Sequence, residues 1–284
     1  MTTVAHFGEE DAYAADAAAR LYPDAELRPC RSFADVMREV TRGLADAGVL
    51  PIENSLAGAI PETFDLLAHA PLAIVGETVL PVPHCLVGLP GTNIDALTRV
   101  HSHPAALAQV RRFLSSIPDT VPEVAPSTAA AARRVAELGD LRQAAISSRR
   151  AGERVGLTVL LNDVSDHAQN YTRFVAVAPH TRIDRGQGEQ WRTAVRFVTH
   201  HRPGALAGAI QPLARHGVDM CSLQSRPIPG RPWSYQFYAD LEGHPLDPAM
   251  ATALRELEAG VAELSYLGCY PVSAAHPTPP AVTG

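Results

Sequence analysis

Short apolar segments alternate with segments of helical pattern over the first 180 residues of this chain. Two apolar runs have the length of strands, residues 4–7 and 47–52. Two helices are predicted between them, at residues 11–21 and 33–41, and Ser32 is the predicted N-cap of the second. Alternation of this kind is typical of an α/β fold. In such folds ligands bind beyond the carboxyl ends of the strands, so polar residues there define the candidate site.

Polar side chains follow four of the predicted strands. They lie at residues 53–55, 101–103, 147–148 and 172–173. Ser102, Ser127 and Thr128 also stand at the starts of predicted helices, where free backbone N–H groups favour anions. We expect these positions to line a cleft that suits a small dicarboxylate. For either helix start taken alone, ordinary capping is the competing interpretation.

The composition excludes several classes of function. The chain has 284 residues, 46% of them apolar, which supports a substantial core and argues against wholesale disorder. Its net charge of −6 argues against nucleic acid or an anionic membrane as the main partner. The four cysteines lack a metal-binding spacing, which favours buried thiols in a reducing compartment. Without a signal peptide or an apolar run of about 18 residues, we expect a cytoplasmic protein with no membrane partner.

A hydroxyl and a guanidinium stand side by side in Asn170-Tyr171-Thr172-Arg173-Phe174, where a polar loop becomes an apolar strand. The guanidinium offers a planar fork of donors that matches a carboxylate, and the threonine hydroxyl donates or accepts a hydrogen bond. Thr172 and Arg173 together suit a small polyanionic substrate. A solvated strand edge is the alternative for this pair considered by itself.

The pattern changes after residue 180. Residues 181–191 are polar and contain two glycines, which predicts a linker. Residues 192–272 then follow the order strand, helix, strand, strand, helix, strand. This βαββαβ order predicts a ferredoxin-like module. Residues 273–284 are rich in proline and alanine and are expected to form a disordered tail.

Short stretches distributed over almost the whole chain occur in a characteristic order. They are residues 49–55 (VLPIENS), 102–109 (SHPAALAQ), 127–132 (STAAAA), 144–146 (AAI), 171–174 (YTRF), 202–206 (RPGAL) and 225–227 (SRP). In this order and at this spacing, the chain resembles the bacterial prephenate dehydratases over about residues 4–272. The resemblance implies a catalytic domain at residues 1–180 with the bilobal fold of type II periplasmic binding proteins, its second lobe at about 79–160. It also implies that residues 192–272 form an ACT regulatory domain.

The family removes the ring hydroxyl and CO2 from prephenate to give phenylpyruvate, a step of phenylalanine biosynthesis, and no metal or organic cofactor is implied. By resemblance, Thr172 is catalytic and donates a hydrogen bond to the departing hydroxyl, while Arg173 holds a substrate carboxylate. Phe174 shapes the pocket. The other predicted substrate-binding residues are Asn54, Ser55, Ser102, Ser127 and Thr128.

The chain departs from the family at one turn, here called the acidic turn. Where the family usually has Gly-Pro-x-Gly-Thr-Phe-Ser, this chain has Gly8-Glu9-Glu10-Asp11-Ala12-Tyr13-Ala14. If these acids face the cleft, repulsion between like charges at about 4 Å disfavours a dianion, and the enzyme takes a modified substrate such as an amino analogue. If they point to solvent, the substrate is the ordinary one.

ACT domains bind amino acids between paired subunits, and the family is inhibited by phenylalanine. The resemblance therefore implies an amino-acid effector and a homodimer or homotetramer. The predicted effector-binding residues are Gly204, Ala205, Leu206, Asp219, Ser225 and Arg226. Gln224 replaces the glutamate usual in the family, so the identity of the effector stays open.

Two further functions compete with a dehydratase. One is a paralogue that decarboxylates prephenate without aromatisation or acts on its amino analogue, which the acidic turn favours. The other is a non-catalytic sensor, because both implied folds also bind small ligands without chemistry. Retention of Thr172 favours the dehydratase over the paralogue.

Overall fold

The computed structural model describes residues 1–167, 169–179 and 190–273. The strands are β1 (Thr3–Phe7), β2 (Glu26–Cys30), β3 (Ala47–Asn54), β4 (Gly58–Ala59), β5 (Leu72–Pro81), β6 (Cys85–Gly88), β7 (Arg99–Ser102), β8 (Val121–Val124), β9 (Gln143–Ser147), β10 (Thr158–Leu161), β11 (Tyr171–Pro179), β12 (Trp191–Val198), β13 (Met220–Pro227), β14 (Tyr235–Glu242) and β15 (Glu263–Pro271). The α-helices are α1 (Tyr13–Leu21), α2 (Phe33–Thr41), α3 (Pro61–Leu67), α4 (Pro104–Ala108), α5 (Arg111–Ser116), α6 (Thr128–Leu138), α7 (Arg149–Arg154), α8 (Ala205–Arg215) and α9 (Pro248–Gly260).

The described strands form two sheets, and the chain crosses between them twice. The larger sheet has the order β13-β14-β12-β15-β5-β11-β3-β1-β2, with β4 paired to β3, and the smaller has the order β10-β6-β9-β7-β8. The chain leaves the larger sheet after β5 and returns to it with β11, so the smaller sheet forms a second lobe. Its strands run from Cys85 to Leu161, compared with the predicted 79–160, because β5 continues to Pro81 in the first lobe. The predicted mixed α/β fold is confirmed.

Helices cover both faces of the larger sheet in the first lobe. Ala14 and Ala18 of α1 share one apolar cluster with Val49 of β3. On the opposite face, Val36 and Val40 of α2 share another cluster with strand residues of β3 and β11. Burial on both faces explains why β3 is a continuous apolar run rather than an alternating one. No helix of the described residues is long and apolar enough to cross a membrane.

Apart from the two-residue β4, two strands escape prediction from the sequence, β2 and β8. Each lies at the edge of its sheet and contains a proline, Pro29 in β2 and Pro122 in β8, and β8 is also largely exposed. Proline is tolerated at sheet edges because its missing N–H faces away from the partner strand. The resulting polar, proline-containing segments resemble loops in the sequence.

The C-terminal residues 191–271 follow the order β12, α8, β13, β14, α9, β15. Neighbouring strands in the order β13-β14-β12-β15 are all antiparallel, as in ferredoxin-like folds, so the predicted βαββαβ order is confirmed. Trp191, predicted to end the linker, instead begins β12 and is buried. The rest of the predicted linker apart from Gln190, and the predicted tail beyond Ser273, lie outside the described residues.

The C-terminal module joins the first lobe through a parallel contact between β15 and β5, at Gly268 opposite Ile74. Gly268 has a φ of 151°, and a Cβ added there would lie 2.1 Å from the Ile74 carbonyl oxygen. Only glycine permits this approach, because any side chain would collide with the neighbouring backbone. The larger sheet is continuous across the two parts of the chain for this reason.

Replacing Gly268 by alanine is expected to lower the free energy of unfolding by about 2 kcal/mol or more, from steric overlap with Ile74 and a strained φ. The measurement is chemical unfolding followed by circular dichroism. Gly208→Ala is the matched control, because Gly208 lies in α8 with no atom within 4 Å of the added Cβ. Gly208→Ala should raise the free energy of unfolding by up to about 1 kcal/mol. Equal stability of the two variants would contradict the proposed close approach.

Candidate active site

The pairing of β11 with β3 sets Thr172 opposite Asn54 at the end of the strand pair that faces the second lobe. Because side chains alternate along a strand, Asn170 projects in the same direction as Thr172, and Arg173 projects in the opposite one. Thr172 and Asn170 are both buried. The candidate active site is therefore built on two paired strands.

Asn54 is the centre of the hydrogen bonding at this site. Its Nδ2 has two protons and three acceptors within hydrogen-bond distance: Asn170 Oδ1 at 2.7 Å, and Thr172 Oγ1 and the Tyr171 carbonyl at 3.0 Å each. Its Oδ1 accepts from the backbone N–H groups of Leu56 and Ala57. These bonds fix the amide so that it donates to the threonine oxygen and leaves the threonine proton free.

Further polar side chains extend this arrangement, which we call the Thr172 network. Asn170 Nδ2 donates to Gln109 Oε1 at 2.8 Å, and Gln109 Nε2 lies 3.4 Å from Asn54 Oδ1. His84 Nε2 lies 2.7 Å from the same Gln109 oxygen. Burial lowers the pKa of His84, which keeps the ring neutral at neutral pH. The Thr172 network is thus composed of uncharged groups.

A break between two helices brings Gln109 into the site. The sequence predicts one helix over residues 105–114, but the structure has α4 and α5 separated at Gln109 and Val110. Asp166 causes the break, because its carboxylate accepts from the N–H groups of Arg111 and Arg112 and so caps α5. Its own N–H donates to the Gln109 carbonyl. The loop before β11 therefore determines where Gln109 lies.

Asn170, Gln109 and His84 are members of the Thr172 network that are absent from the predicted site. A signal for Asn170 was present, because it lies two residues before Thr172 and shares its face of the strand. Gln109 ends the stretch 102–109 that carries part of the family resemblance. His84 gives no local signal, because its role depends on a contact with Gln109, 25 positions along the chain.

Of the other predicted substrate-binding residues, Ser55 joins the site. Its Oγ accepts from the Tyr171 N–H at 2.9 Å, which ties the end of β3 to the start of β11. Ser102 is fully buried and donates to the Ile146 carbonyl at 2.7 Å, so its hydroxyl holds two strands of the second lobe together. Ser127 caps α6 through the Ala130 N–H at 3.0 Å, and Thr128 is the first residue of that helix.

Two predictions at the strand β11 need correction. Arg173 was predicted to hold a substrate carboxylate, but its guanidinium lies on the face opposite Thr172, in ion pairs with Asp240 and Glu77. Burial opposes its charge, but these carboxylates raise the pKa of Arg173 above its usual value. Phe174 was predicted to shape the pocket, but it is buried in the apolar cluster beneath α1. Alternation along the strand accounts for the position of Arg173.

The acids of the acidic turn form ion pairs with arginines of the second lobe. Glu9 pairs with Arg133 of α6, and Glu10 pairs with Arg154 of α7. The hydrogen bond from Arg154 lowers the pKa of Glu10. Gly8 has a φ of 84°, and a Cβ added there would lie 2.9 Å from the Ala12 Cβ, so the turn requires glycine at this position. Glu9 and Glu10 are exposed, as the second interpretation expects, and each pairs with an arginine across the junction of the two lobes. Asp11 is buried and is in none of the ion pairs among the described residues.

The predicted effector residues fall into two groups. Gly204, Ala205 and Leu206 line a surface pocket of about 740 Å³ together with Trp233 and Phe237. Asp219, Ser225 and Arg226 are not among the described residues that line it. Arg226 instead binds Asp65 of α3 through two hydrogen bonds, of 3.0 and 2.6 Å. The structure thus brings the first three predicted residues together and places Arg226 at the contact between the domains.

The chemistry open to this site is that of neutral hydrogen bonding. The Thr172 hydroxyl accepts from Asn54, and it donates no hydrogen bond among the described residues, so its proton is available to a ligand. Within the described ranges, no group of three His, Cys, Asp or Glu side chains is placed to hold a metal ion. The arrangement suits the stabilisation of a departing oxygen atom.

The fold and the site define a two-lobed α/β enzyme with a C-terminal ferredoxin-like module. The sequence profile described as "Prephenate dehydratase" matches residues 4–182. The chain belongs to the prephenate dehydratase family, and the prediction of a lyase of this family is confirmed.

Named relatives cover most of the chain. It is 37% identical, over 88% of its length, to the bifunctional chorismate mutase/prephenate dehydratase of Enterobacter agglomerans, of which it spans 65%. It is also 37% identical, over 95% of its length, to arogenate dehydratase/prephenate dehydratase 2 of Arabidopsis thaliana, of which it spans 72%. The solved prephenate dehydratase of Arthrobacter aurescens in complex with L-Phe is 30% identical, with a TM-score of 0.86 over 95% of this chain and 90% of that chain.

Replacing Asn54 by aspartate is expected to lower the free energy of unfolding by about 2 kcal/mol, because Asn170 Oδ1 and the Tyr171 carbonyl would face an acceptor instead of a donor. The measurement is chemical unfolding at neutral pH. Asn162→Asp is the matched control, because exposed Asn162 uses only its oxygen, to accept from Arg149. An Asn54→Asp protein as stable as the control would contradict the assigned amide orientation.

Proposed function

We propose that this chain catalyses the decarboxylating dehydration of prephenate to phenylpyruvate. The hydrogen bond of 3.0 Å from Asn54 Nδ2 to Thr172 Oγ1 carries the proposal, because it leaves the hydroxyl proton of Thr172 available to the substrate. Membership of the family supports the substrate, and the neutral surroundings support a role that requires no charged acid. A cytoplasmic location is part of the proposal.

In the reaction, the bond between the ring and its carboxylate breaks and releases CO2. The electron pair moves through the ring and expels the hydroxyl group from the opposite carbon, which leaves an aromatic ring. The departing oxygen takes up a proton to become water. Thr172 donates a hydrogen bond to that oxygen as its negative charge grows, and Asn54 holds the threonine oxygen in place. Aromatisation supplies the driving force.

The ion pairs of the acidic turn support prephenate rather than an amino analogue as the substrate. An ammonium group would gain from unpaired acids at the cleft. Glu9 and Glu10 are instead matched by Arg133 and Arg154, so these two acids offer a dianion little net repulsion. The fate of prephenate and of its amino analogue in parallel assays decides between the two substrates.

We further propose an amino-acid effector, with phenylalanine as the first candidate, at the pocket lined by Gly204, Ala205 and Leu206. The relative solved with bound L-Phe supports this proposal. Backbone N–H groups at the start of α8 suit a carboxylate, and Trp233 and Phe237 offer apolar surface to a ring. A homodimer or homotetramer remains part of the proposal.

The test of the reaction is the Thr172→Val variant, which keeps the shape of the side chain and removes the hydroxyl. We expect kcat/KM for prephenate to fall by about 100-fold or more. Thr172→Ser keeps the hydroxyl and should retain activity within about tenfold of the wild type. Phenylpyruvate is measured by its absorbance in alkali, and all products are measured by mass spectrometry.

A wild-type protein that binds prephenate without forming phenylpyruvate would refute the proposed reaction and favour a sensor. A non-aromatic decarboxylated product, or turnover of the amino analogue alone, would favour the paralogue. Full activity of a folded Thr172→Val variant would leave the reaction intact and remove Thr172 from the mechanism.

Arg154→Gln is expected to raise KM for prephenate about fivefold at low ionic strength, because Glu10 would then be unpaired near the cleft. Added salt should reduce the effect by screening the exposed charge. Arg149→Gln is the matched control, because Arg149 lies on the same helix and its partners Glu153 and Asn162 belong to the same lobe. A KM unchanged in the Arg154→Gln enzyme would show that Glu10 does not act on the substrate.

A further inference from the structure

Buried charges lie between the first lobe and the C-terminal module, directly behind the Thr172 network. This interdomain cluster consists of Glu77, Arg173, Arg192 and Asp240. Arg173 donates to Asp240 at 2.6 Å and to Glu77 at 3.3 Å, and Arg192 donates to the same Glu77 oxygen at 2.8 Å. The four side chains are at most 9% exposed. Both parts of the chain contribute to one set of charges that water does not screen.

Two guanidinium groups and two carboxylates balance in the cluster, and Asp240 of β14 supplies the negative charge nearest to Arg173. Glu53 lies farther away, at 3.6 Å, and its side chain is 40% exposed. Without Asp240, two buried cations would share Glu77. A buried charge that loses its partner is strongly destabilised, so the Arg173 side chain would have to move.

The strand register connects this cluster to the Thr172 network. Thr172 lies opposite Asn54, and the next pair along the same two strands is Arg173 opposite Glu53. The first pair faces the lobe junction and the second faces the C-terminal module. A β-bulge follows at once, between Arg173 and Phe174. Arg173 thus lies between Thr172 and the irregular part of the β3–β11 ladder, so the pair held from the other domain is the last regular step before the bulge.

A cavity of about 220 Å³ adjoins the cluster. Ser55 and Tyr171 line it from the first lobe, and Cys221, Ser222 and Asp240 line it from the C-terminal module. Because this side is not closely packed, the position of the Arg173 side chain depends on its ion pairs more than on steric contact.

We propose that Asp240 is a positioning residue for the active site, which acts through Arg173 to hold Thr172 in register with Asn54. The C-terminal module then completes the catalytic geometry in addition to any ligand it binds. The inference rests on the proposed role of Thr172. A shift of Thr172 relative to Asn54 would misdirect the hydroxyl proton and slow the chemical step, with little effect on substrate affinity.

The test is Asp240→Asn in the full chain, which keeps the size of the side chain and removes its charge. We expect kcat for prephenate to fall about tenfold or more, while KM changes less than about threefold. Asp65→Asn is the matched control, because it breaks the ion pair of Arg226 with α3, another contact between the domains that does not involve β11. Its kcat and KM should stay within about twofold of the wild type.

A folded Asp240→Asn enzyme with the wild-type kcat would overturn the inference, as would equal losses of kcat in the Asp65→Asn enzyme. If Asp240→Asn does not fold, the test passes to Asp240→Glu, which keeps the charge and lengthens the side chain. We expect that enzyme to lose kcat with KM preserved, and a wild-type kcat would again overturn the inference. A wild-type chain inactive on prephenate would refute the proposed function instead, so the two failures are distinguishable.

Discussion

The position of β11 between β3 and β5 is the constraint on which the rest of the structure depends. The strand is hydrogen-bonded along both edges and returns the chain from the second lobe to the first. A strand held on both sides cannot slip by a whole residue without exchanging its two faces, so only small displacements are open to it. One face carries Thr172 to the lobe junction, and the other carries Arg173 to the C-terminal module. The register of β11 therefore determines the positions of both Thr172 and Arg173.

The structure separates neutral hydrogen bonding from charge. The Thr172 network uses amides, a hydroxyl and an uncharged imidazole, whereas the adjacent charges lie in the interdomain cluster or in the ion pairs of the acidic turn. Fixed dipoles stabilise a developing charge without having to reorganise, provided that each dipole is itself held by partners. The several bonds made by Asn54 supply that condition. Glu53 fits the same division, because its carboxylate faces Arg173 rather than the cleft.

Local signals in the sequence were sufficient for much of the fold. Ser32 and Ser127 cap their predicted helices because a cap depends on residues three positions away. The positions of Asn54 and Thr172 were also predictable, because strand ends in an α/β fold meet at one edge. Alternation along β11 and the prolines of the edge strands account for some of what failed, and distant partners account for the rest. Asp166 ends α4 from 57 positions beyond Gln109, and Asp240 determines the environment of Arg173 from 67 positions away. Residue type and local spacing contain no information about such partners.

The contact between the two parts of the chain combines a narrow backbone junction with buried charge. The backbone pairing is confined to Gly268 and Ile74, whereas the side chains of the cluster around Arg173 are buried. A charged hydrogen bond weakens when its two groups separate or lose their alignment. A ligand alters turnover only if it binds two arrangements of the protein with different affinity. If a ligand bound more tightly when β14 was slightly displaced, the hydrogen bond between Asp240 and Arg173 would change. One peptide bond joins Arg173 to Thr172.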